Sequence, residues 1–421
     1  MRVSLNPGEF NGSLTVPPSK SMAHRLLIAA SLANGESVIE NIALSNDIKV
    51  TAEGLRILGA DIYIKGNAAK INGIERFLPV NQPVNCGESG STLRFFIPLF
   101  SLTDSRITFK GEGRLMQRPQ NIYAQIFKKR RLMFEQKGDT LTISGPLTEG
   151  EYSIPGNVSS QFITGLLYAL AFGDGESIIH ITPPFESRSY VELTLEAQKL
   201  FGVDAYFYDD FTIRIKGNQK YIPCKCIVEG DYSQAAFWLV CGSICGNASV
   251  KGLLPNSKQG DRVILDILAR CGANIEIHNE FINCSKASLK ATQIDLSDCP
   301  DLGPILMVLA LFCQGKTIIS NAARLRMKES DRISSMQQEI AKMGGKILAD
   351  ENSVQIERCT LHKAENLSSH NDHRIAMSLA VAAVCAGVPV SISGAQAVNK
   401  SYPTFWEDLK SMGVKVDYYD E

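Results

Sequence analysis

Three sequence patterns recur along this chain at one shared spacing of about seventy residues, and that spacing restricts the fold more than any other feature. The first is a helix end closed by glycine and followed by a strand: "LRILGADIYI", "QKLFGVDAYF", "LARCGANIEI", "AKMGGKILA" and "LKSMGVKVDY", with Gly59, Gly202, Gly272, Gly344 and Gly413 at the turn. The first interval is double the others, so a sixth copy falls near residue 130. There "IFKKRRLMFEQKGDTLTI" offers a version without the glycine. The second series is a set of short strands: "SVIENI", "RITFKG", "SIIHIT", "ASVKG", "TIISN" and "VSISG". The third consists of apolar helices beginning at "SKSMAHRLLIAASL", "SGSTLRFFIPLF", "SSQFITGLLYALAF", "DYSQAAFWLVCGSI", "PDLGPILMVLALF" and "DHRIAMSLAVAAV".

A unit of this length holds several elements. Each reads as an apolar helix, a strand, a polar loop, an amphipathic helix and two strands, which makes the chain an α/β protein of six repeats. The apolar helices lack a polar face and are expected to be buried. The amphipathic ones are expected to face a core on one side only, as Ile333, Met336, Ile340 and Met343 do, with Gly344 closing that helix. Six units divide as three plus three, and 421 residues exceed one ordinary core. The expected lobes are residues 17–228 and residues 1–16 plus 229–421, with the first sixteen residues completing the last unit's sheet and a site in the cleft between the lobes.

The net charge of −1 argues against broad binding to nucleic acid or a membrane surface, so any anion site must be a local cluster. The opening "MRVSLNPGEF" has no apolar signal core, and the apolar run "GPILMVLALFC" is shorter than the ~20 residues that span a bilayer; a cytoplasmic protein is expected. Eleven cysteines occur without a CxxC pair, which reads as reduced, mostly buried thiols and no metal site.

Polar residues collect at two phases of the repeat. The first turns of the apolar helices carry Lys20, Ser21 and Arg25; Ser89, Gly90, Ser91 and Arg94; Ser159, Ser160 and Gln161; Asp301; and Asp372, His373 and Arg374. The strand-to-helix loops add Arg118, Ser187, Tyr190, Lys328, Arg332 and Lys400. Helix N-termini favour anions, and guanidinium forks suit carboxylate and phosphate. Cations outnumber Asp301 and Glu329, so the expected ligands are two small anions rather than one neutral molecule.

The motifs "PPSKSMAHR", "ESGSTLR", "QRP", "SSQ", "RMKESDR", "NDHR" and "NKSYP", in that order and along essentially the whole chain, resemble those of the 5-enolpyruvylshikimate-3-phosphate (EPSP) synthase family. The resemblance implies an inverse α/β barrel of two similar domains. It also implies transfer of the enolpyruvyl group of phosphoenolpyruvate to the 5-hydroxyl of shikimate 3-phosphate, by addition and elimination, without metal or organic cofactor. By the matching positions, Lys20, Ser21, Arg25, Ser159, Ser160, Gln161, Ser187, Tyr190, Asp301 and Lys328 would hold shikimate 3-phosphate. Lys20, Gly90, Arg118, Gln161, Arg332, Arg374 and Lys400 would hold phosphoenolpyruvate. Asp301, Glu329 and Lys20 would be catalytic, with Asp301 taking the hydroxyl proton and Glu329 protonating the methylene carbon. The partners expected are these small molecules alone, with no nucleic acid or membrane, and the chain is expected to be a monomer.

Several positions depart from the family's pattern: Glu88 stands where asparagine is usual, Phe95 where proline is common, and Arg324 where some members bind substrate through asparagine. Gly90 is retained, which implies sensitivity to the phosphoenolpyruvate competitor glyphosate. The sister family that transfers enolpyruvyl to UDP-N-acetylglucosamine carries a cysteine in the loop that here reads "GEGRLMQRP" and lacks the "SKSxxHR" start.

Overall fold

Where the helices stop shows the repeat most directly. In the computed structural model, which describes residues 1–103 and 105–420, all five repeat glycines have positive φ, from +77° at Gly202 to +116° at Gly59. At each, the glycine N–H reaches back three residues and the next N–H reaches back five, as in Gly344 to Ala341 and Gly345 to Ile340. This double bond closes a helix end, and glycine takes the left-handed turn at least cost. The same pair of bonds occurs in the sixth copy, from Arg131 to Lys128 and from Leu132 to Phe127, with Arg131 at φ +58°. The second unit thus keeps the turn and places an arginine in it.

Twelve α-helices lie among the described residues: α1 Lys20–Leu32, α2 Asn46–Leu58, α3 Gly90–Phe100, α4 Asn121–Lys129, α5 Ser160–Leu170, α6 Arg188–Leu200, α7 Tyr232–Cys245, α8 Ile264–Arg270, α9 Gly303–Phe312, α10 Arg332–Lys342, α11 His373–Ala386 and α12 Phe405–Ser411. The odd-numbered helices are the apolar ones and are buried almost all round; in α9 every residue but Phe312 is buried. The even-numbered helices bury one stripe. In α10 it runs through Ile333, Met336 and Ile340, with Met343 beyond the helix end, all fully buried.

Each unit carries one more strand than the sequence reading assigned, because a short strand also precedes each interior helix. The six sheets therefore have four strands each and share one order. In the third unit Glu151–Pro155 runs parallel to Ser177–Thr182, then Thr212–Ile215 and Ala205–Asp209 follow antiparallel. Short 3-10 turns, such as Leu115–Gln117, Ala323–Met327 and Ala395–Lys400, occupy the segments read from sequence as polar loops.

The chain forms two compact units, Lys20–Val228 and Met1–Ser19 with Glu229–Glu421, each with its own hydrophobic core. The first lobe begins at α1 rather than at residue 17. Pro18 bridges to Gly230, and the Ser19 N–H donates to the Glu229 carbonyl, which ties residues 17–19 to the second lobe. Arg2–Asn6 does complete the last unit's sheet, lying between Val390–Ser393 and Lys415–Tyr419. Asn11–Thr15 instead pairs in parallel with Asn247–Lys251 of the fourth unit. Its counterpart, Lys225–Ile227, pairs in parallel with Glu36–Glu40 of the first. No helix among the described residues is long and apolar enough to cross a membrane.

Candidate active site

In the first lobe the polar residues sit at the starts of α1, α3, α5 and α6 and in the loop before α4. α1 packs on α6 and α3 on α5, so their first turns form two connected groups. Around α3 and α5, Ser89 caps α3 by accepting from the Thr92 N–H, and Ser159 caps α5 by accepting from Gln161 N–H at 3.3 Å. Gln161 is clamped at both ends of its amide: Arg94 Nη1 donates to its Oε1 at 2.8 Å, and its Nε2 donates to Ser91 Oγ at 2.9 Å. Arg94 also donates to the Pro119 carbonyl at 3.0 Å and stacks over Phe162 at 4.8 Å. A Cβ added at Gly90 would stand 2.9 Å from Arg118 Nη1 and 3.4 Å from Gln161 Oε1. Gly90, Arg118 and Gln161 are therefore mutual neighbours, with Ser160 buried in the first turn of α5.

Arg25 anchors the other group. Its guanidinium donates to Thr194 Oγ1 at 2.9 Å, to the Ser21 carbonyl at 2.6 Å and to the Tyr190 carbonyl at 2.8 Å. Burial pulls its pKa down to about 10, with Tyr168 and Tyr190 opposing. Phe95, one of the departures from the family pattern, lies under this guanidinium at 5.5 Å. His24 bonds Thr51 Oγ1 at 2.8 Å; burial, then Lys20 and Arg25, push its pKa well below the usual histidine range, which favours the neutral ring. Lys20 pairs with Asp47 Oδ2 at 2.7 Å. Ser187 precedes α6 with φ +56°, a strained conformation for serine.

The second lobe gathers the acids. Asp301 lies in a 3-10 turn, Pro300–Leu302, immediately before α9 rather than in its first turn. Its Oδ1 accepts from Lys328 Nζ at 3.2 Å and Arg332 Nη1 at 3.1 Å, and its Oδ2 accepts from Arg374 Nη2 at 3.2 Å. Arg332 is almost wholly buried and also binds Glu329 Oε2 at 2.8 Å and Asp372 Oδ2 at 2.9 Å. Burial disfavours its charge, but Asp372, Glu329 and Asp301 together outweigh burial and raise its proton affinity. Burial and the cations Arg332 and Arg324 lower Lys328, with Asp301 and Glu329 opposing. Asp372 caps α11 by accepting from the Arg374 N–H at 2.9 Å, and burial is overcome by Arg332, which holds it below the usual carboxylate range. Lys400 donates to the Asn371 carbonyl next to that cap at 2.5 Å.

Of the residues singled out from sequence, Gly90, Arg118, Ser159 and Gln161 meet in one group. Ser21, Arg25 and Tyr190 meet in a second, and Asp301, Lys328, Glu329, Arg332 and Arg374 in a third. Lys400 joins the third through Asn371, and Lys20 pairs with Asp47. Arg324 donates to the Ser297 carbonyl at 2.8 Å and acts on Lys328 by its charge. Glu88 approaches Gly113, where an added Cβ would stand 2.6 Å from its carboxylate. The sequence reading assigned no site role to Arg94, Asp47 or Asp372. Arg94 and Asp372 lie inside the quoted motifs "ESGSTLR" and "NDHR", whereas Asp47, in the first turn of α2, has no signal beyond that place.

A family model described as EPSP synthase (3-phosphoshikimate 1-carboxyvinyltransferase) matches residues 5–409. A 3-phosphoshikimate 1-carboxyvinyltransferase of Clostridium kluyveri is 44% identical over 419 residues, covering 99% of this chain and 98% of that protein. One of the same name from Clostridium acetobutylicum is 43% identical over 417 residues, covering 98% and 97%. Among solved structures, an EPSP synthase of Acinetobacter baumannii superposes with a TM-score of 0.81 at 25% identity, covering 99% of this chain and all of that one. The enolpyruvyl transferase NikO of Streptomyces tendae shares the fold, with a TM-score of 0.79 at 16% identity over 99% and 98% of the two chains. With its six repeated units, its cation-rich helix starts and these relatives along its length, the chain belongs to the EPSP synthase family.

Proposed function

We propose that this protein transfers the enolpyruvyl group of phosphoenolpyruvate to the 5-hydroxyl of shikimate 3-phosphate and releases phosphate, and that both lobes contribute to this one reaction. The observation that carries the reading is Asp301, a carboxylate held by Lys328, Arg332 and Arg374 with Glu329 on the same arginine. A group of cations with two acids inside it serves a reaction between anions that must also move protons.

As the 5-hydroxyl oxygen bonds to the central carbon of phosphoenolpyruvate, its proton passes to Asp301, and Glu329 gives a proton to the methylene carbon. The tetrahedral adduct then returns a proton from the new methyl group to Glu329, the carbon–oxygen bond to phosphate breaks with its electron pair leaving on phosphate, which takes up the proton held by Asp301, and the vinyl double bond re-forms. The cations oppose the protonation of Asp301 until a substrate hydroxyl replaces one of them as its partner. Arg374 supports the anion role: its Nε and Nη1 are buried and have no hydrogen-bond partner among the described residues, an arrangement that a carboxylate or phosphate would satisfy. Arg25, Ser21, Ser159, Ser160, Gln161, Ser187, Tyr190 and Lys328 are proposed for shikimate 3-phosphate. Lys20, Gly90, Arg118, Gln161, Arg332, Arg374 and Lys400 are proposed for phosphoenolpyruvate.

Phosphate release is expected only when both substrates are present, with the carboxyvinyl product seen by mass spectrometry. Asp301→Asn is expected to lower kcat by about 10²- to 10⁴-fold, the usual worth of a proton-transferring group. Calorimetry is expected to find shikimate 3-phosphate still bound by this variant. Release supported by UDP-N-acetylglucosamine in place of shikimate 3-phosphate would overturn the proposal.

A further inference from the structure

The interior helices α7 and α11 begin at Asp231 and Asp372, and three thiols meet near their other ends. Cys241 and Cys245 lie one turn apart on α7, and Cys385 is in the last turn of α11, which packs against it. Cys241 Sγ is 3.7 Å from Cys245 Sγ and 3.8 Å from Cys385 Sγ, and all three sulfurs lie within 4.8 Å of one another. None is in a disulfide.

Buried cysteines in a core are ordinary, but three converging sulfurs are not explained by packing alone. A tetrahedral ion with metal–sulfur bonds of about 2.3 Å holds its sulfurs about 3.8 Å apart. Two of the three edges already have this length, and a side-chain rotation of Cys245 or Cys385 closes the third. The site also has an approach. A cavity of about 630 Å³ is lined by Lys286, Ser288, Gln314, Arg358, Cys359 and Cys385, so the third cysteine borders open space. Three thiolates around a divalent ion leave one net negative charge, and the ammonium of Lys286 acts on Cys245 with the opposite sign.

We propose that Cys241, Cys245 and Cys385 form a binding site for a thiophilic divalent cation of the Zn²⁺ class, with the fourth position open to this cavity. Each thiol gives its proton to solvent as its sulfur binds, and no oxidation is involved. The sequence pointed away from a metal because it has no CxxC pair. Here the third sulfur comes from a helix 144 residues away from Cys241. α11 has 14 residues and so is about 21 Å long, which separates Cys385 in its last turn from Asp372 at its start, the carboxylate that Arg332 binds. The site is therefore structural or regulatory rather than part of the transfer chemistry.

Titration of the reduced, metal-free protein with Co²⁺ tests it. One equivalent is expected to give sulfur-to-cobalt charge-transfer bands and the visible bands of a tetrahedral ion, both displaced by Zn²⁺. The bands are expected to vanish in Cys245→Ser and in Cys385→Ser and to persist in Cys359→Ser, whose thiol lines the same cavity. A second arm needs no variant. Zn²⁺ is expected to slow alkylation of Cys241, Cys245 and Cys385 at least tenfold, mapped by mass spectrometry, while Cys359 reacts as before. Absence of thiolate bands in the unmodified protein, their survival in both serine variants, or equal protection of Cys359 would each overturn the site.

Discussion

At Gly90 the space for a side chain is already taken. A Cβ 2.9 Å from Arg118 Nη1 is closer than real contacts allow, so the guanidinium must move by a few tenths of an ångström. Arg118 is one of the groups proposed to hold phosphoenolpyruvate. Gly90→Ala is therefore expected to raise the KM for phosphoenolpyruvate about fivefold, equivalent to about 1 kcal/mol of lost contact, with a smaller change for shikimate 3-phosphate. Steady-state kinetics with each substrate varied in turn measures the difference. Arg332 has the contrary character: its position is enforced by three carboxylates rather than by lack of room. Breaking such a buried set from one side leaves uncompensated charge and costs about 3–5 kcal/mol, so variants of Arg332 confound binding with folding.

Between residue and lobe stand the helix ends. Five turns use glycine, and the sixth uses Arg131 at φ +58°, where a side chain costs about 1–2 kcal/mol. Arg131→Gly is expected to stabilise the first lobe by about 1 kcal/mol, seen as a higher urea midpoint with turnover unchanged. In the last two units, α10 is tied to the segment before α11 through Glu339. This carboxylate accepts from Lys342, from His370 Nε2 at 2.8 Å and from the Ser368 N–H at 2.9 Å. Burial opposes its charge, but His370, Lys342 and the Ser368 N–H outweigh burial and lower its proton affinity below the ordinary 4.5. A depressed carboxylate stabilises fully above its unfolded value and loses that contribution as pH falls through its folded one. The second lobe is thus expected to lose stability below about pH 4.5, and Glu339→Gln to flatten that loss while being less stable at pH 7. Urea midpoints at the two pH values decide it.

The whole chain is threaded so that each lobe owns complete sheets. Lys20–Val228 contains every strand of three four-stranded sheets, including Lys225–Ile227, which closes the first. Of the other three, two need residues from both sides of that insertion, because Arg2–Asn6 is an interior strand and Asn11–Thr15 an edge strand among partners from the C-terminal half, whereas the sheet of Gln293–Asp295, Lys316–Ser320, Val354–Glu357 and Ile347–Ala349 lies wholly in that half. Residues 20–228 expressed alone are expected to fold cooperatively. Residues 229–421 alone are expected to fail, and to recover when residues 1–19 are joined to them by a short linker. Circular dichroism and amide exchange on the three fragments test this.

The sixfold repeat, the alternation of buried and one-sided helices and the positions of the helix ends were legible in the sequence, because each depends on residues within a turn or two of one another. The motifs also placed the cations and acids at the right ends of their elements, for the same reason. Which of them touch was not legible. Arg25 reaches Thr194 across 169 residues, Arg332 reaches Asp372 across 40, and Arg131 entered a glycine turn that its identity disfavours. The strand exchange at both crossovers was equally hidden, since Asn11–Thr15 and Lys225–Ile227 are short and carry no pattern that names a partner. Local periodicity determined the elements, while pairing across long stretches of chain, where packing and buried charge are balanced together, was decided only by the tertiary structure.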